Sequence, residues 1–106
     1  MAFNTEVPTS YKYVENGIIY EGSLPTSAMS QFDIYTALLA YWESKTPSTW
    51  AYLKAYIVAN TKVTEESSGI QLDPIKDLNF QQVKILVEKY LTLASEFFTS
   101  PQKKDQ

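Results

Sequence analysis

Asn16-Gly17 stands between two short runs of β-forming residues, Tyr11 to Glu15 and Ile18 to Glu21. Asn-Gly suits a two-residue hairpin turn because both central positions take positive φ. A turn of that length fixes the register. Tyr13 falls opposite Tyr20, Val14 opposite Ile19, and Lys12 opposite Glu21. Strand alternation then puts Tyr11, Tyr13, Ile18 and Tyr20 on one side and Val14 and Ile19 on the other. A lone hairpin is marginal in water. It must pack on a helix, gain a third strand or pair with a partner chain. If Val14 and Ile19 point at the core, Tyr11, Tyr13 and Tyr20 form an outward ladder, and the strand edge is open to a partner strand.

Helical spacing follows the hairpin. Ser30-Gln31-Phe32-Asp33 reads as a capping box, with Met29 and Ile34 as a hydrophobic staple and Ser27 as an alternative start. The helix runs to about Ser44. Its apolar positions include Phe32, Ile34, Tyr35, Leu38, Leu39, Tyr41 and Trp42, a stripe wider than a surface helix needs, so this helix is expected to be central. Thr46-Pro47 restarts the chain as N-cap and first helical residue. The second helix runs to about Thr61, with Trp50, Leu53 and Ile57 as its core stripe. Ala51, Ala55 and Ala59 recur every four residues and permit close approach of another helix. The last helix is capped by Asn79, with Gln82 completing the box and Leu78 with Val83 as the staple. Val83, Leu86, Val87, Tyr90, Leu93, Ala94, Phe97 and Phe98 follow at helical spacing.

Asn60 to Leu78 is too long for a structureless loop in a compact domain. Three pieces of order are expected within it. Thr64-Glu65-Glu66 starts a short turn that Gly69 ends. Ile70-Gln71-Leu72 alternates like a strand able to join the hairpin, and Asp73-Pro74 caps a single turn.

The chemistry available to the chain is narrow. There is no cysteine and no histidine, and all nine basic residues are lysines. Disulfides, thiol chemistry, imidazole proton shuttling, soft-metal sites and bidentate arginine clamps are thereby excluded. Oxygen ligands for magnesium, calcium or manganese remain, and Asp73 with Asp77 is the closest pair to such a set. No metal-loop spacing surrounds them, and a cap for Asp73 and a place ahead of the last helix for Asp77 are the preferred explanation. Twelve acidic residues show no spacing that selects an acid–base pair. Three glycines leave no phosphate-cradling loop. Lys54 and Lys62 share a helical face with Trp50 and Tyr52 nearby, a pattern that can hold single-stranded nucleic acid, but a net charge of −3 opposes it.

Contact with other proteins has more support. Aromatic residues are 14% of the chain, with eight tyrosines and two tryptophans, the types enriched at interfaces. Tyr52, Tyr56 and Val58 lie off the core stripe of the second helix, leaving it apolar around much of its circumference, and such helices are buried against something. The alanine ladder packs either within the chain or against another chain.

The expectation is a single α+β domain over 1–106, mainly α: an N-terminal β-hairpin packed on a bundle of three principal helices. A loose arm (1–9), the hairpin (10–22), a helical core (30–99) and a frayed tail (100–106) divide it. The expected function is non-catalytic protein–protein contact as an assembly, accessory or structural component. A regulatory inhibitor of a partner protein and a small enzyme using carboxylates or tyrosines are the alternatives. Tyr11, Tyr13, Tyr20, Ala51, Tyr52, Ala55, Tyr56 and Ala59 are the expected partner-binding residues. The partner is another protein or a second copy of the chain. No cofactor, metal, nucleic acid, membrane or small-molecule substrate is expected. In style the chain resembles small bacteriophage proteins, which are short, cysteine-free domains with loose termini, and its helical second half resembles tail-assembly chaperones. That resemblance carries no residue roles. Met1 to Ser10 lacks the basic and apolar character of a signal peptide and the longest apolar run, Ala37 to Trp42, is too short to span a bilayer, so a cytoplasmic protein, or one built into a virus particle assembled there, is expected.

Overall fold

The structure, a computed structural model, describes residues 8–99. In chain order it runs β1 (Ser10–Glu15), β2 (Ile18–Ser23), α1 (Ala28–Glu43), α2 (Pro47–Ala59), β3 (Thr61–Glu65), β4 (Gln71–Leu72) and α3 (Phe80–Thr99). This is an α+β domain, mainly α. The tail expected at 100–106 and residues 1–7 of the expected arm lie outside the described residues. Thr9, placed in that arm, is tied to the sheet: the Leu24 N–H donates to its carbonyl at 2.8 Å.

The four strands form one antiparallel sheet in the order β1-β2-β3-β4. The hairpin has the register that Asn16-Gly17 dictates, with Lys12 opposite Glu21, Tyr13 opposite Tyr20 and Val14 opposite Ile19. Asn16 and Gly17 take φ of 53° and 78°, as the turn requires. The hairpin gains its third strand from β3, which sets Tyr20 against Val63 and Glu21 against Lys62. β4 adds Leu72 beside Val63. The short strand expected around Ile70–Leu72 is therefore present as Gln71–Leu72. The segment 61–65 is strand as well, not the end of a helix followed by a turn. Thr61, Val63 and Thr64 are β-branched and fit a pleated surface. Within the span expected to be a helical core, β3 and β4 are thus sheet.

The side of the hairpin that faces the core is the tyrosine side. Tyr20 is 1% exposed while Val14 is 46% exposed, so an outward tyrosine ladder is not formed. Three tyrosine rings and an isoleucine remove more apolar surface from water than Val14 and Ile19 would. α3 lies against β1 and β2 as the roof of that face. Its Leu86, Tyr90, Leu93 and Ala94 join Ile18, Tyr20, Leu53, Ile57 and Val63 in one buried cluster.

One buried ring and one half-buried ring keep their polar ends satisfied, as burial of a hydroxyl demands. The Tyr90 hydroxyl donates to the Ser23 carbonyl at 3.1 Å. The Tyr11 hydroxyl makes a longer contact, 3.4 Å, to the Leu86 carbonyl. The Tyr11 ring lies over Gly22, its cross-strand neighbour, where a side chain would overlap it.

α1 starts one turn earlier than the Ser30 box. Ser27 is its N-cap, accepting from the Ser30 N–H. α2 starts at Thr46-Pro47 with a reciprocal cap between Thr46 and Thr49. The short connection turns α2 back beside α1, and the Tyr41 ring packs at a tilt against Trp50 with 5.7 Å between ring centroids. α3 carries the expected cap: Asn79 and Gln82 each donate a backbone N–H to the other's side chain at 2.9 Å. α1 is not enclosed on all sides. Ile34, Ala37 and Leu38 are buried, but Phe32 is 60% exposed and Leu39 and Trp42 are partly so.

Candidate functional site

α2 turns Leu53 and Ile57 into the core and leaves Ala51, Ala55 and Ala59 exposed on its other side. The ladder therefore does not serve as a tight helix contact inside the chain. It forms one wall of a groove of about 570 Å³, completed on that wall by Val58 and Lys54. Val83, Leu86 and Val87 of α3 form the facing wall, and Pro74 with Ile75 closes the groove from the turn before α3. The three methyl groups are why the groove exists. Larger side chains at four-residue spacing would fill the space between the helices. Lys54 is the single charged residue among the lining groups.

The turn that brings Pro74 and Ile75 to the groove is built by two carboxylates. Asp73 Oδ1 accepts from the Ile75 N–H at 2.8 Å, and Asp77 Oδ2 accepts from the Asp73 N–H at 2.8 Å. Both residues are engaged in shaping the backbone. Among the described residues no three histidine, cysteine, aspartate or glutamate side chains gather where they could hold a metal ion.

On the flank of α2 toward α1, Tyr52 and Tyr56 meet edge to face at 5.4 Å. Their hydroxyls lie 3.4 Å apart. The hydrogen bond to Tyr52, then burial and nearby negative charge including Asp33, push the Tyr56 hydroxyl up to about 12. A phenol held in that way stays protonated at neutral pH. The Tyr13 hydroxyl donates to Glu15, and that bond, with burial behind it, raises its pKa. Lys89 lies 3.9 Å above the centre of the Tyr13 ring, a cation–π contact that ties α3 to the hairpin.

The eight residues expected to bind a partner thus divide. Ala51, Tyr52, Ala55 and Ala59 are exposed on α2, with Tyr56 half-buried beside them. Tyr11 and Tyr13 are half-buried under α3, and Tyr20 lies inside the core. Tyr20 is removed from any contact surface because the hairpin buries its tyrosine side. The structure does not bring the two sets into one patch.

The sequence reading did not single out the outer face of α1. Met29 is 74% exposed, and with Phe32 and Leu39 it forms a stripe directly opposite Ile34, Ala37 and Leu38. The signal was the excess width of the apolar stripe, which reads equally as a helix buried all round. Ile75, 78% exposed, and Phe80 add apolar surface near the groove.

A second concavity, of about 620 Å³, lies at the end of the sheet where β1, β2 and β3 come together. Lys12, Glu21 and Lys62 are successive cross-strand neighbours there. Their charges alternate, so the row complements itself and offers no field of one sign.

Comparison of the chain with protein-family models, with curated proteins and with solved structures found no significant match.

Proposed function

We propose that this protein is a non-catalytic protein–protein contact module whose working surface is the groove between α2 and α3. The observation that carries the proposal is the exposed ladder Ala51, Ala55 and Ala59 facing Val83 and Val87 across an apolar trough. Exposed apolar surface of this kind marks interaction sites. Small residues on one wall admit a helix at short distance, and helices laid into apolar grooves are a recurring mode of recognition. Assembly or accessory work within a larger particle, bacteriophage-like in style, suits such a module. That reading extends to a cytoplasmic location or incorporation into the particle. Among the described residues no helix is long and apolar enough to cross a membrane.

The test is a capture experiment in an extract of the source cells with two baits, the natural chain and Ala55→Glu. Proteins retained by the natural chain and lost by the variant support the groove as the contact surface. Equal retention by both baits overturns it.

A further inference from the structure

We propose that the groove between α2 and α3 receives the outer face of α1 from a second copy of this chain, so that copies join head to tail. This rests on the groove being a contact surface and names its occupant.

The two surfaces match in size, length and charge. The outer face of α1 presents large apolar side chains, Met29, Phe32 and Leu39, all exposed. The groove presents the small side chains of Ala51, Ala55 and Ala59. Large ridges entering a row of small residues is how helices interlock. Met29 to Leu39 spans about 15 Å along α1 and Ala51 to Ala59 about 12 Å along α2, from the rise per residue of a helix. Asp33, exposed and one helical turn on from Met29, lies at the edge of the outer face of α1, and Lys54 is the one charged residue lining the groove. An acid at the margin of one surface meets a base at the margin of the other, which fixes orientation.

Neither surface can be satisfied by the other within one chain. α1 lies along the opposite flank of α2, held there by Tyr41 on Trp50. Its Asp33 acts on Tyr56, away from the groove. The contact must therefore form between copies. Because the two patches differ, each copy keeps one free acceptor and one free donor after a single contact, and growth continues until a ring closes or a filament extends.

The experiment is light scattering over a concentration series on the full chain and two variants. Phe32→Glu spoils the donor face, and Ala55→Glu spoils the acceptor groove. Both positions are exposed, and a matched thermal transition confirms folding. Ala51→Glu takes the place of Ala55→Glu if the latter fails to fold. The natural chain is expected to gain mass with concentration, and each variant to weaken association by about tenfold or more. An equimolar mixture of the variants restores one intact donor and one intact acceptor, and is expected to give pairs and nothing larger. A natural chain that stays monomeric, a variant that associates normally, or a mixture that stays monomeric overturns the proposal. If the natural chain is monomeric while Ala55→Glu still loses captured proteins, the occupant is a different protein and the contact reading stands. If capture is also unchanged, both fall.

Discussion

Tyr90 on α3 is fully buried, whereas Tyr52 on α2 is 50% exposed. The difference lies in what each helix packs against. α3 roofs a sheet whose inner face is made of tyrosine, isoleucine and valine, and the ring of Tyr90 has both apolar neighbours and a carbonyl, that of Ser23, for its hydroxyl. α2 buries only Leu53 and Ile57 fully and sets the half-exposed ring of Tyr52 edge to face on Tyr56. A high aromatic content therefore describes two materials at once, core filler in the sheet half and surface in the helical-hairpin half.

Truncating each tyrosine should separate the halves most sharply. Tyr90→Ala is expected to cost about 3–5 kcal/mol, as large aromatic-to-alanine changes in cores do. Tyr52→Ala is expected to stay within about 0.5 kcal/mol, as exposed sites do. Urea unfolding of both variants measures this, and similar losses would erase the distinction.

Gly22 tests how tightly the sheet half is closed. A methyl group there overlaps the Tyr11 ring, so Gly22→Ala should destabilise by about 1–3 kcal/mol, the usual range for overpacking. In a Tyr11→Ala background most of that cost should vanish, because the overlapping atoms are gone. A double-mutant cycle reads the coupling, and additive effects would show that the ring yields freely.

At the turn, Gly17→Val should cost about 1–2 kcal/mol, since a β-branched residue is forced into the left-handed region. A thermal melt checks it. An unchanged transition would mean that the hairpin does not depend on its turn.

Alkaline pH should loosen the sheet half through its buried phenols. Burial pushes the Tyr11 hydroxyl up to about 12 and raises that of Tyr90 further. The folded state then holds its phenolic protons more firmly than the unfolded chain, whose tyrosines titrate near 10. Stability from this source is complete below about pH 10 and is lost as pH rises toward 12. The urea midpoint should fall across that interval, and less steeply in Tyr11→Phe. An equal fall in that variant would assign the effect to other groups.

The parts legible in the sequence were those fixed by local chemistry. Asn16-Gly17 set the hairpin register to the residue, and Thr46-Pro47 and Asn79 with Gln82 marked two helix starts correctly. Alternation named the two faces of the hairpin without saying which was inside, because that depends on α3, which is remote in sequence. β3 was missed because Asn60-Thr61 extends the helical pattern of α2 until Val63 is paired with Tyr20. Of the candidate site, the alanine ladder was readable from its spacing. The facing wall from α3 and the closing turn at Pro74 were not, since their juxtaposition is set by packing. On α1, one wide stripe concealed two faces, one inward through Leu38 and one outward through Phe32.

The bond from Tyr90 to Ser23 joins residues 67 positions apart. During synthesis the hairpin and β3 leave the ribosome well before α3 does. Over that interval Tyr20, Ile18 and Val63 lack the cover that α3 gives them in the finished domain. A chain stopped before Phe80 would leave these side chains without the helix that covers them, and apolar surface exposed in that way favours aggregation.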